Sequence, residues 1–272
     1  MRQLAVSNIA WPDALRSEAL AILARESIFG LEVAPTMLWP DWQVTPGQTA
    51  ASREELATQG FRVSSLQAIL FAQPQALLFG DEAARQALAA HLERCAALAE
   101  QLGAAPLVFG APKNRLRGPL PLPAAESLAA DLFRQVAPAF ARHGACLCLE
   151  ANPADYGCDF MTSAADAARL VRAVAHPGVG LHLDTACMHL AGDDPRSLIE
   201  THADILRHVH VSEPFLGPFD SPVVDHAAIA AALRDIGYSG WVVLEMRATA
   251  DPLAGLERAA RFLAATYGSA HA

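Results

Sequence analysis

The chain has 272 residues, 53% of them hydrophobic and 18% charged, with a formal net charge of −9. This is globular composition with ample material for a large core, and its acidic balance argues against a general nucleic-acid binder, which carries a basic surface. No run of eighteen apolar residues is present, so no membrane span is expected, and the N-terminus lacks the small-residue cleavage site of a secretory leader.

In chain order, β-rich runs are predicted at Leu4–Ile9, Gly30–Val33, Arg62–Ile69, Leu107–Phe109, Cys146–Glu150, Val179–Asp184, Arg207–Val211 and Trp241–Glu245. Between and after them, Ala/Leu-rich amphipathic segments predict helices at Pro12–Ser27, Ala50–Gln59, Glu82–Leu102, Ala124–His143, Ala164–Val174, Pro195–His202, Asp225–Ile236 and Asp251–Tyr267. Asp81, Ser163, Asp194 and Asp225 are placed to cap helix N-termini, and Gly103, Gly144 and Gly237 to end helices. Eight strand–helix alternations with no linker predict one domain over 1–272, an α/β protein folded as a (β/α)8 TIM barrel, with a doubly wound open sheet as the alternative. Gly268–Ala272 is expected to fray. The five cysteines have irregular spacing and read as free thiols of a cytoplasmic protein.

Four adjacent strand ends carry the chemistry. "CLCLE" ends at Glu150, "VGLHLD" at Asp184, "RHVHV" holds His210 as its penultimate residue, and "WVVLE" ends at Glu245. In a parallel barrel the C-terminal strand ends share one mouth, where active sites are built. Three carboxylates gathered there repel one another unless a cation sits among them, and oxygen donors with one imidazole suit Mn, Mg, Co or Zn. Glu150, Asp184, His210 and Glu245 are therefore the candidate ligands of one divalent metal ion.

With "LDTACMH" around Asp184 and "HVHVSE" around His210, this set resembles the xylose-isomerase-like superfamily of TIM barrels, nearest its branch of ketose 3-epimerases and related sugar isomerases. The resemblance implies a mononuclear metal enzyme that isomerises or epimerises a carbohydrate or sugar derivative, with Glu150 and Glu245 as the catalytic pair. Proton removal beside a carbonyl would give an enediolate, with the metal countering its charge and the two glutamates exchanging protons. The alternatives are a dehydratase or lyase acting on an inosose-like keto-sugar, and a non-catalytic barrel that binds metal or sugar. Homo-oligomers are common in the family.

The chain departs from the ketose 3-epimerase pattern around the metal. Cys187 stands where a substrate-binding histidine is expected, Leu216 replaces an arginine, and Tyr156 replaces a glutamate. The usual free ketohexose is therefore not the expected substrate. The endonuclease IV branch of AP endonucleases is disfavoured, since Gln67, Phe109 and Cys187 occupy neighbourhoods of its extra zinc-binding histidines.

Secondary candidates surround this set. Lys113, Arg115 and Arg117 in the loop after the fourth strand form a candidate site for a substrate phosphate or carboxylate, or a simply solvated basic loop. Glu213 and Arg247 are further candidate substrate contacts. Glu32 ends the second strand facing the same mouth. Trp11, Trp39, Phe71 and Tyr156 are candidate pocket walls, with ordinary packing as the alternative. His182 and His208 lie two residues before Asp184 and His210 and face the same way. Orienting the ligands and filling a hydrogen-bonded core are both open to them.

Overall fold

A computed structural model describes residues 3–268. Residues 1–2 and 269–272, the latter covering most of the segment expected to fray, lie outside it. Eight parallel strands close on themselves in sequence order. They are β1 (Gln3–Ser7), β2 (Gly30–Val33), β3 (Arg62–Leu66), β4 (Pro106–Phe109), β5 (Cys146–Glu150), β6 (Val179–Asp184), β7 (Leu206–Val211) and β8 (Trp241–Leu244). The helices are α1 (Arg16–Arg25), α2 (Pro35–Leu38), α3 (Pro46–Thr58), α4 (Glu82–Leu102), α5 (Leu122–Arg142), α6 (Ala164–Val174), α7 (Thr185–Ala191), α8 (Pro195–Thr201), α9 (His226–Asp235) and α10 (Pro252–Tyr267). This is a (β/α)8 barrel. Among the described residues, no helix is long and apolar enough to cross a membrane.

The helix caps act where the sequence places them. Asp81, Ser163, Asp194 and Asp225 each accept a hydrogen bond from a first-turn amide, and Gly103 ends α4 in the left-handed conformation at φ +76°. Several boundaries differ from expectation. The third strand stops at Leu66 rather than Ile69, and Ala68 just beyond turns at φ +51°. The first stops at Ser7, where Asn8–Ala10 winds into a 3₁₀ turn. The first helix begins only at Arg16, after a second such turn at Asp13–Leu15.

Two short helices are additional to the expected set. The second of these, α7, follows β6 without a loop because Asp184 both ends the strand and caps the helix, accepting from Cys187 N at 2.7 Å.

Side chains of alternate strand residues fill the barrel. The lumen is polar toward one end: Glu32, Ser65, His182, His208 and His210 are all buried there or nearly so. Strand register sets their levels. Asp184 pairs with His210, and His182 with His208, while Glu150 pairs with His182.

Candidate active site at the barrel mouth

At the C-terminal ends of β5 to β8, Glu150, Asp184, His210 and Glu245 lie together, each no more than 9% exposed. Glu245 Oε2 is 3.2 Å from His210 Nδ1. Ligand-type atoms of Glu150, Asp184 and His210, with one from His182, all lie within 4.8 Å of one another.

Two of these side chains, Asp184 and His210, are held from behind. Asp184 receives the Cys187 amide on Oδ1 and the Ser212 hydroxyl on Oδ2 at 2.6 Å. His210 Nε2 lies 3.0 and 2.9 Å from the two oxygens of Glu32. Glu32 also accepts from Ser65 Oγ at 2.7 Å and lies 3.0 Å from His208 Nε2. A carboxylate on one ring nitrogen fixes the imidazole's orientation and leaves the other nitrogen to face the site. Here that other nitrogen, Nδ1, is buried and faces Glu245 Oε2 at 3.2 Å.

The charges are unbalanced. Burial, reinforced by Asp184 and Glu245 and opposed by His210, pushes the Glu150 carboxyl up to about 8. Burial also raises Glu245, with Asp184 and Glu32 adding to the effect against the pull of His210. At His210 burial opposes the charged form, but Glu32 and Glu245 outweigh it and hold the imidazolium well above its ordinary range. Without a cation the site therefore retains protons. A buried imidazole nitrogen set among carboxylates that resist ionisation suits a bound divalent ion.

A proton-release experiment checks this. Near pH 7, titrating the protein with manganese should release at least one proton per ion, because ligands bind deprotonated. Release from Glu150 should fade above about pH 8, where its carboxyl is already ionised. Glu150's folded-state value lies above the ordinary 4.5. Its contribution to metal-free stability is thus intact below that lower value and lost as pH rises through about 8. Calorimetry in two buffers of different ionisation heat, beside Tm with and without metal, measures both effects.

Gly110, immediately after β4, gives Glu150 its room: a Cβ there would collide with Glu150 Oε2. Gly110→Ala should displace that carboxylate and lower turnover by about a hundredfold, the usual effect of a misplacement near 1 Å. Circular dichroism and turnover measured side by side would show whether the loss occurs in a folded barrel.

The basic loop does not present one cluster. Lys113 is exposed. Arg115 is completely buried and donates to Asn152 Oδ1 at 2.6 Å, close enough to Glu150 for charge interaction. Arg117 is tied to Asp159 and to Leu120 O. Arg247 is exposed at the rim beyond Glu245.

Glu213 is buried, and its carboxylate accepts from the Val223 and Val224 amides at 2.8 and 3.3 Å. It also lies 2.8 Å from His226 Nε2. These contacts anchor the loop between β7 and α9. Trp11 and Trp39 belong to the core, and Phe71 is 65% exposed. Tyr156 stacks edge-on with Phe215 and accepts its amide.

The residues missing from the sequence reading are Ser212 and Asn152. Each lies two residues past the end of a ligand-bearing strand, or one, and carries only a polar side chain as a clue.

Structures of similar architecture include L-ribulose 3-epimerase (TM-score 0.82, 19% identity, 98% of this chain and 95% of the other). Another is D-psicose 3-epimerase crystallised with D-fructose (0.81, 18%, 98% and 100%). A third is 3-keto-D-glucoside 4-epimerase from E. coli (0.81, 19%, 97% and 100%). A ketose 3-epimerase of Arthrobacter globiformis is 41% identical over 69 residues, a stretch covering 25% of this chain and 24% of that relative. Residues 27–266 match the profile of one family across most of the barrel, and the chain belongs to that family, the xylose isomerase-like TIM barrels.

Proposed function

We propose that the protein is a divalent-metal-dependent isomerase or epimerase of a sugar or sugar derivative. The observation that carries this reading is the gathering of Glu150, Asp184 and His210 at one buried mouth, with Glu245 beside His210. Those four residues would hold the ion, with His210 offering Nδ1 because Glu32 occupies Nε2. When bound, the ion would supply positive charge to the oxygens of an enediolate.

The remaining work falls to the chain's own groups. Glu150 and Glu245 stand on β5 and directly after β8, on two sides of the cluster, and act as the acid/base pair on the carbon beside the carbonyl. Asp184 is held rigidly by Ser212 and Cys187 and contributes fixed negative charge. Arg115, Lys113 and Arg247 are substrate-side candidates, Arg115 acting through Asn152 and the others from the rim. Cys187, Tyr156 and Leu216 leave the neighbourhood less polar than a ketohexose site. That favours a sugar derivative over a free ketohexose.

The test is incubation of the manganese-loaded protein with a panel of ketoses, keto-glycosides and sugar acids in D₂O. Deuterium entering carbon-bound positions at unchanged skeleton mass supports the reading. Loss of water from the product would make it a dehydratase, and no exchange with any candidate would leave a binding barrel.

A further inference from the structure

His182 lies outside the four-residue set, yet its surroundings single it out. It stands in register with Glu150 on the neighbouring strand and two residues before Asp184, so its side chain leaves β6 on the same face. The ring is 1% exposed, and neither nitrogen has a hydrogen-bond partner among the described residues. Buried polar groups ordinarily find partners. His91 reaches Ile69 O at 2.7 Å, and His226 bridges Glu213 and Tyr267.

His182 Nε2 instead lies 3.7 Å from Glu150 Oε1. Donor atoms of Glu150, His182, Asp184 and His210 fall within 4.8 Å of one another. Two donors bonded to one ion at about 2.1 Å are about 3.0 Å apart at right angles and about 3.6 Å apart at 120°. The spacing of His182 and Glu150 is that of two ligands sharing an ion.

A second grouping, His182 with His208 and His210, is also compact. It is the weaker candidate for an ion. Both His208 and His210 direct Nε2 at Glu32, and three imidazoles bring no negative charge of their own to a dication.

We propose that His182 is an additional nitrogen donor to the divalent ion, giving the centre two imidazoles beside its carboxylates. This rests on the metal-centre reading above. Its consequence is selectivity, because a second imidazole shifts preference away from magnesium and toward cobalt and zinc.

Pulsed EPR of the full chain loaded with manganese counts directly bonded imidazole nitrogens. Two couplings are expected in the wild type and one in His182→Gln. In competition between zinc and manganese, the variant's preference for zinc should fall roughly tenfold. A single coupling in the wild type would overturn the proposal and leave the four-residue centre standing, as would two couplings that persist in His182→Gln. Failure of the wild type to retain manganese or zinc would instead remove the metal reading itself. Should His182→Gln not fold, His182→Asn serves, and the wild-type count still decides.

Discussion

Glu245→Gln is expected to slow deuterium exchange into substrate by about a thousandfold, within the usual contribution of a positioned acid or base. Glutamine keeps the shape of the side chain and one oxygen near His210, but it cannot accept the substrate proton. The effect on metal should be smaller, since Glu150, Asp184 and His210 remain. Turnover and metal content measured together separate the two roles. If Glu245→Gln regains full turnover at saturating manganese, Glu245 is a ligand only, and Glu150 must work with another base. The matching variant Glu150→Gln should show the same loss, because epimerisation needs one group to take a proton and another to return it.

The second large effect is expected at Glu32, which need not touch substrate at all. Its carboxylate is wholly buried and faces Ser65, His208 and His210. Opposing the cost of burial, the two histidines hold its carboxyl far below the ordinary carboxylate range. Removing one partner of such a buried network leaves the others stranded, so Glu32→Ala should cost about 3–5 kcal/mol of stability. Glu32→Gln keeps the volume and should fold. It cannot accept from both histidines and the serine as a carboxylate does, so metal affinity should drop by roughly 10–100-fold through a loosened His210. Denaturant melts of both variants, with metal titration of Glu32→Gln, check this. Unchanged affinity in Glu32→Gln would mean that His210 is oriented without it.

Glu150, Asp184 and Glu245 were legible in the sequence because each closes a largely apolar run at the point where a barrel strand leaves the core, and His210 because it stands one residue before such an end. The periodicity carries that information locally, and parallel closure does the rest. What supports them was less legible. Glu32 reads as one more mouth-facing acid, and nothing local says that it lies beneath His210 and His208. Ser212 is a loop serine until β6 and β7 come into register and bring its hydroxyl to Asp184. Arg115 shares a basic run with Lys113 and Arg117, yet the fold buries only Arg115. A charge in a loop normally remains in water, whereas Arg115 is buried with Asn152 as its hydrogen-bond acceptor and Glu150 close enough for charge interaction. Helix α7 escaped for a different reason: its cap is Asp184 itself, so no polar linker separates strand from helix to announce it.

The bonds from Glu32 to His208 and His210 run across the hollow of the barrel, joining β2 to β7 rather than following the wall. They close sequence separations of 176 and 178 residues, more than half the chain. Contacts of that range must close long loops before they are rewarded, which slows folding. All four candidate ligands lie in the second half of the sequence, but the imidazole among them is oriented by an acid from the first half. During refolding, secondary structure should therefore return before the protein can capture an ion. Capture of the ion would mark the moment when the two ends of the chain have found each other.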